Sequence, residues 1–182
     1  MHQQSNQARS ILGNLSRKKI LIILLVLLLI AIASAMAAQK MSDKPEFCAN
    51  CHNMQSYYDS WKNSTYLANA HAKAGVNCHD CHTPSFDQQA EEGFKQITGD
   101  YEDPMKKREF PKEMCLKCHN MTDVIAKTNF EADHSNPHDS HQGEQECNKC
   151  HSMHRESKVM CSQCHGFSWM RNLPPSFKKG AY

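Results

Sequence analysis

The sequence predicts a mainly helical protein with many irregular loops and negligible sheet, held behind a single N-terminal transmembrane helix. Three observations predict it. An apolar run occupies residues 20–38; the chain beyond it has almost nothing from which to build a hydrophobic core; and all ten cysteines fall in short clusters of one design, each ending in histidine.

Ile20 to Ala38 is broken only by Ser34. These 19 residues make about 28 Å of helix, just enough to span a bilayer. Arg17, Lys18 and Lys19 stand directly before it, and by the positive-inside rule they keep residues 1–19 as a cytoplasmic tail. A cleaved signal is the competing reading, because Ala33-Ser34-Ala35 and Ala35-Met36-Ala37 resemble processing sites. Signal cores run about 7–15 residues, so the longer run here favours a retained anchor. Both readings place everything after residue 40 outside the cytoplasm. A net charge of +2 and a pI near 8.0 give no basic excess of the kind nucleic-acid binding requires.

From Met41 onward there are only 15 Ile, Leu, Val and Phe in 142 residues. That is far below the roughly 20% at which a chain can offset its conformational entropy by apolar burial. Disulfides, metals or cofactors rescue such domains. The cysteines form five C-x-x-C-H units: Cys48, Cys51 and His52; Cys78, Cys81 and His82; Cys115, Cys118 and His119; Cys147, Cys150 and His151; and Cys161, Cys164 and His165. Two thiols at this spacing add across the two vinyl groups of one porphyrin, and the adjacent histidine then binds its iron. Zinc ribbons and disulfide frameworks explain the cysteines but not five following histidines. With 12 His in 182 residues that coincidence has a probability on the order of one in a million. The reading is therefore a multihaem c-type cytochrome with five covalent haems, whose macrocycles replace the missing core.

Seven further histidines are His2, His71, His79, His134, His138, His141 and His154. His2 falls on the cytoplasmic side of the anchor, and His79 is a bystander within its own motif. Supply nearly matches demand, so mostly bis-histidine ligation is expected, with His71, His134, His138, His141 and His154 as candidate distal ligands. Met54, two residues after His52, is a candidate sixth ligand for the first haem; the alternative is that it only packs on a porphyrin face, as Met121 and Met153 do. A methionine ligand would raise that haem's potential.

The expected organisation is tail 1–19, anchor 20–38, a front 41–112 with haems 1 and 2, and a delivery part 113–182 with haems 3–5. A helix is expected from about Met54 to Ala70. Pro84–Pro111 reads as a charged connector helical only in part, and the segment after Pro137 as loop. Lys178 and Lys179 form a basic tail. Motif starts lie 30, 37, 32 and 14 residues apart, which excludes a regular repeat.

Residues 15–102 resemble the NapC/NirT/NrfH family of membrane quinol dehydrogenases. The likeness rests on the anchor followed by Phe47-Cys48-Ala49-Asn50-Cys51-His52-Asn53-Met54, on Tyr57, Tyr58, Trp61, Ser64 and His71, and on Gly75 to Cys78 with Cys81-His82-Thr83-Pro84. The resemblance implies a first haem at the membrane surface that is ligated by Met54 and fed by menaquinol. It also implies a quinol pocket of Lys95 and Asp100, with Asp103 or Glu102 as alternatives to the latter; the bland reading of each is an exposed surface charge. From about Cys115 the chain is similar to the haem domain of flavocytochrome c fumarate reductases, through His138 and His141 before Cys147–His151, then His154 and the close Cys161 motif. The first family typically carries four motifs, and this chain has five.

Together these imply a single-pass protein of the cytoplasmic (inner) membrane, with its haems on the periplasmic side. It would pass electrons from the membrane menaquinol pool to an extracytoplasmic terminal reductase, of the flavoprotein fumarate reductase type or a nitrite reductase. No nucleic acid is involved, and a homo-oligomer is compatible with the sequence. A pentahaem shuttle without a quinol site is the alternative. A haem-based reductase of small molecules would need an open iron position; pentahaem nitrite reductases mark theirs by lysine in place of the motif histidine, and no motif here does so.

Overall fold

The fold is that of a computed structural model whose described residues are 16–178, with the backbone alone of His52. His2, Lys179 and most of the expected cytoplasmic tail lie outside the described residues. The chain divides into two units, Met1–Asp43 and Lys44–Tyr182.

The first unit carries one helix, Arg17–Ser42, of 26 residues. It overruns the expected 20–38 at both ends because neither Arg17–Lys19 nor Gln39–Ser42 contains proline or glycine. Lys40 in the last turn complements the helix dipole. None of its residues is buried. It is long and apolar enough to cross a membrane.

The second unit consists of short helices and turns. Among its described residues there is no strand, only the isolated bridges Phe130↔Ser135 and Ser157↔Phe177. The helix expected over 54–70 is broken into a 3-10 turn His52–Met54, a helix Gln55–Lys62 and a helix Leu67–Lys73. Side chains make the break. Asn69 Nδ2 donates to both Trp61 O and Lys62 O at 2.9 Å, satisfying carbonyls at the end of the first piece. Ser64 Oγ donates to Ser60 O and accepts from Tyr66 N–H at 3.0 Å, which turns the chain. The connector 84–111 contains a 13-residue helix, Phe86–Thr98. It opens with a capping box between Ser85 and Gln88 and stops at Gly99, whose φ of +78° requires glycine.

The interior is small. Buried apolar side chains among the described residues are Tyr58, Ala68, Val159 and Met170, accompanied by buried Asn53, Ser60, Asn69, Ser157 and Ser176. Distant segments are joined by hydrogen bonds instead, some of them between backbone groups. Ala68 N–H donates to Met153 O at 2.9 Å, Ser157 N–H to Ser176 O at 2.8 Å and Lys178 N–H to Ser157 O at 2.8 Å. Near the last motif, Phe167 and Phe130 both stack with Trp169, with centroids 5.9 and 4.9 Å from it. Asp133 fixes that wall by accepting from Ser168 Oγ at 2.6 Å and from the N–H groups of Ser168 and Trp169. The polypeptide supplies a scaffold, and a core for it must come from elsewhere.

Candidate haem-binding sites

Each C-x-x-C-H unit sits on a tight turn. In the last four motifs the histidine N–H donates to the carbonyl of the first cysteine: His82 to Cys78 at 2.8 Å, His119 to Cys115 at 3.0 Å, His151 to Cys147 at 2.9 Å and His165 to Cys161 at 2.9 Å. One helical turn thus brings both thiols and the imidazole to one side. All ten cysteines are free. Among the described residues, no group of three or more His, Cys, Asp or Glu is assembled to hold a metal ion by itself.

The imidazoles instead stand in pairs, each joining a motif histidine to one from elsewhere. His82 faces His154 with ring centroids 6.2 Å apart, His119 faces His71 at 6.0 Å, His151 faces His138 at 6.0 Å and His165 faces His141 at 5.9 Å. A metal held by a ring nitrogen about 2 Å away on each side separates the centroids by about 6 Å. Four independent pairs at that spacing fit a haem iron held between two histidines. The planes of the pairs lie at 29°, 78°, 4° and 87°, in the same order.

Burial holds several of these rings neutral, the form that ligates iron. It pushes His82, His138 and His151 below the usual histidine range. His154 falls to about 4, chiefly by burial and further by the neighbouring His82. The opposite ring nitrogen is engaged on three distal rings: His71 Nδ1 lies 2.8 Å from Leu67 O, His138 Nδ1 2.9 Å from Thr128 Oγ1 and His154 Nδ1 2.6 Å from Ser60 Oγ. Nε2 is then the nitrogen left for a metal. Sequence reasoning missed Ser60 and Thr128, and no local pattern marks either.

Thiols of successive motifs adjoin. A hydrogen bond from Cys78 draws the Cys48 thiol down to about 6 and pushes Cys78 up. Burial, then Cys115, pushes Cys147 to about 11. Burial also raises Cys81, with Asp80 and Cys118 adding to it, and raises Cys161, with Cys150 adding. Thioether formation abolishes these titrations, but the order of neighbours remains: first beside second, second beside third, third beside fourth, fourth beside fifth. Hydrogen bonds clamp the third motif to the fourth, from Lys112 N–H to Glu146 Oε2 at 2.7 Å and from Asn148 Nδ2 to Phe110 O at 2.9 Å. The third and fifth motifs are the most open: Cys118 and His119, and Cys164 and His165, are exposed.

Other expected site residues lie apart from these pairs. His134, expected as a ligand, is exposed, and among the described residues no imidazole faces it. Its φ of +46° closes the turn Glu131–Asp133, so its backbone role there sets its direction. The side chain of His52 lies outside the described residues; Met54 is half-buried at the start of helix Gln55–Lys62. Lys95 and Asp100 come together at the end of helix Phe86–Thr98, where Asp100 N–H donates to Lys95 O at 2.9 Å. Lys95 Nζ pairs with Glu91 at 2.5 Å, and that carboxylate raises its pKa. Glu102 pairs with Lys106, and its carbonyl lies 3.5 Å from Asn53 Nδ2, next to the first motif.

Comparison with known proteins finds c-type cytochromes. Residues 13–107 match the NapC/NirT cytochrome c family, N-terminal region, and residues 70–166 match the cytochrome c3 family. The cytochrome c-type protein Cgr1 of Eggerthella lenta is 31% identical over 180 residues, covering 81% of this chain and 83% of its own. The cytochrome c-type protein NrfH of Wolinella succinogenes is 25% identical over 142 residues, covering 70% and 77%. A probable fumarate reductase, Ifc3, of Shewanella frigidimarina is 38% identical over 53 residues, which is 29% of this chain and 8% of that protein. No solved structure matches.

Proposed function

The chain belongs to the NapC/NirT cytochrome c family, and from that premise we propose that it is a pentahaem menaquinol dehydrogenase subunit delivering electrons to an extracytoplasmic terminal reductase. The observation that carries the reading is the set of four imidazole pairs 5.9–6.2 Å apart, each beginning at a C-x-x-C-H motif. Membership makes the chain a membrane-anchored multihaem cytochrome of electron transport, with covalently bound haem c. Five attachment motifs give five haems.

Bound haem c supplies one-electron chemistry at a potential set by its ligands. The protein attaches each through two cysteines. It orients four through His82/His154, His119/His71, His151/His138 and His165/His141, and the first through His52 with Met54. Adjacency of the motifs from first to fifth defines the route, and the fifth, last in that order and with Cys164 and His165 exposed, is its outlet. Quinol oxidation releases two electrons and two protons. Asp100, with water, receives the protons, and Lys95 orients the quinol oxygen. Phe86, Phe94 and Ile97 on the same helix are 72%, 66% and 87% exposed, an apolar approach suited to a quinone headgroup. The name of the probable fumarate reductase relative supports an acceptor of the fumarate reductase type.

The test is a Lys95→Ala/Asp100→Asn double variant of the membrane-embedded holoprotein. A menaquinol analogue should no longer reduce its haem band, while dithionite still does. Normal reduction by the quinol analogue would remove the proposed pocket and leave the shuttle reading.

A further inference from the structure

We infer that Thr128 and Ser60 are positioning residues that hold the distal imidazoles of His138 and His154 in one tautomer and lower the potentials of the two haems those imidazoles serve. The inference rests on reading the imidazole pairs as axial ligands. A hydroxyl has one proton to give. Thr128 Oγ1 has two acceptors for its proton, Val124 O at 2.7 Å, one turn back on its own helix Met121–Lys127 and its cap, and Asn136 Oδ1 at 3.1 Å. Its lone pair at 2.9 Å from His138 Nδ1 must therefore accept, so Nδ1 carries the ring hydrogen. Ser60 repeats the arrangement: its hydroxyl donates to Tyr57 O at 2.7 Å and accepts from His154 Nδ1–H at 2.6 Å.

Neither contact is incidental. Ser60 is 6% exposed, so water does not readily replace it. The His138 loop is fixed by Asn136, whose Oδ1 accepts from His138 N–H at 3.0 Å while its Nδ2 donates to Ile125 O at 2.8 Å. With Nδ1–H engaged, Nε2 alone faces the opposing motif histidine. The hydrogen bond also draws the Nδ1 proton outward, makes the ring a stronger donor and stabilises the ferric state. His71 is served by a backbone carbonyl, which no side-chain substitution removes. His141 differs again, its Nε2 lying 3.3 Å from Gln142 Nε2 at an exposed position.

The test is potentiometric titration of the full-length holoprotein in detergent, followed at the haem α-band, with electron paramagnetic resonance of the oxidised state. Thr128→Ala should retain its haem content and low-spin signals while one midpoint potential moves upward, and Thr128→Ser should restore it. Unmoved potentials, or a shift that Thr128→Ser does not reverse, overturn the inference. Should Thr128→Ala fail to assemble, Ser60→Ala with Ser60→Thr answers by the same criteria at the other haem. High-spin signals at these haems in the unaltered protein would overturn the pairing itself, and the inference with it.

Discussion

His154 meets His82 from 72 residues further along the chain, at a centroid distance of 6.2 Å and with planes 29° apart. If this is an axial pair, His154→Ala removes one ligand from one iron. Water is then the replacement, a weaker ligand that leaves the iron high-spin. One haem of five is about one-fifth of the low-spin intensity. The geometry sharpens this further. Parallel imidazoles donate to the same iron d orbital and split it from its neighbour; perpendicular rings load the two equally and enlarge the g anisotropy. The pairs at 4° and 29° belong to the first class, and those at 78° and 87° to the second. His154→Ala should thus remove about half the bis-histidine signal of the parallel class and none of the perpendicular one. The assay is quantitative electron paramagnetic resonance of oxidised holoprotein, normalised to haem content by pyridine haemochrome. His134→Ala is the control and should change neither class. Intact low-spin intensity in His154→Ala, or a loss confined to the perpendicular class, would refute the assignment.

Two further outcomes follow from the scaffold. The Ser168 hydroxyl and the N–H groups of Ser168 and Trp169 hold the Asp133 carboxyl below its usual range. A depressed folded value means the stabilisation is present above about pH 4 and is lost as pH falls through the folded value. Thermal melting should accordingly place Asp133→Asn below the unaltered protein near neutrality, with the gap closing in acid; a gap independent of pH would sink this reading. With Tyr58, Ala68, Val159 and Met170 as the only buried apolar side chains among the described residues, the haem-free chain should not hold its second unit together. Hydrogen exchange of full-length protein made without haem attachment should show protected amides in Arg17–Ser42 and rapid exchange beyond Lys44; cooperative protection of the second unit would contradict it.

The anchor and the attachment motifs were legible because the chemistry that selects them is local. A bilayer demands a contiguous apolar run, and two vinyl groups beside one iron demand two cysteines and a histidine within five residues. Ligand pairing is not local. His82 is paired forward with His154 while His119 is paired backward with His71, and no periodicity encodes which imidazole a fold delivers to which iron. The count of spare histidines pointed to bis-histidine ligation but not to which rings face each other, nor to His134 standing apart from the four pairs at a backbone turn. The helix expected over 54–70 failed for a similar reason: Asn69 reaches back to the carbonyls of Trp61 and Lys62, a tertiary cap invisible to apolar spacing. Ser60 lies 94 residues from the ring it touches.

The direction of these exchanges carries a structural consequence. His71 comes from the segment between the first two motifs yet faces the third, and His154 comes from between the last two yet faces the second. Imidazoles are thereby exchanged across position 112, where front and delivery parts were expected to meet, and Lys44–Tyr182 is one unit across it. In a domain with almost no apolar interior, iron–imidazole bonds made through such trades would act as the long-range contacts that a hydrophobic core supplies elsewhere. The two crossed pairs flank the step from second to third motif, where Cys118 helps to raise the Cys81 thiol. The ligands that would complete these two sites therefore also fix the distance between them, so the segments that hold the fold together and those that set the spacing for electron transfer are the same.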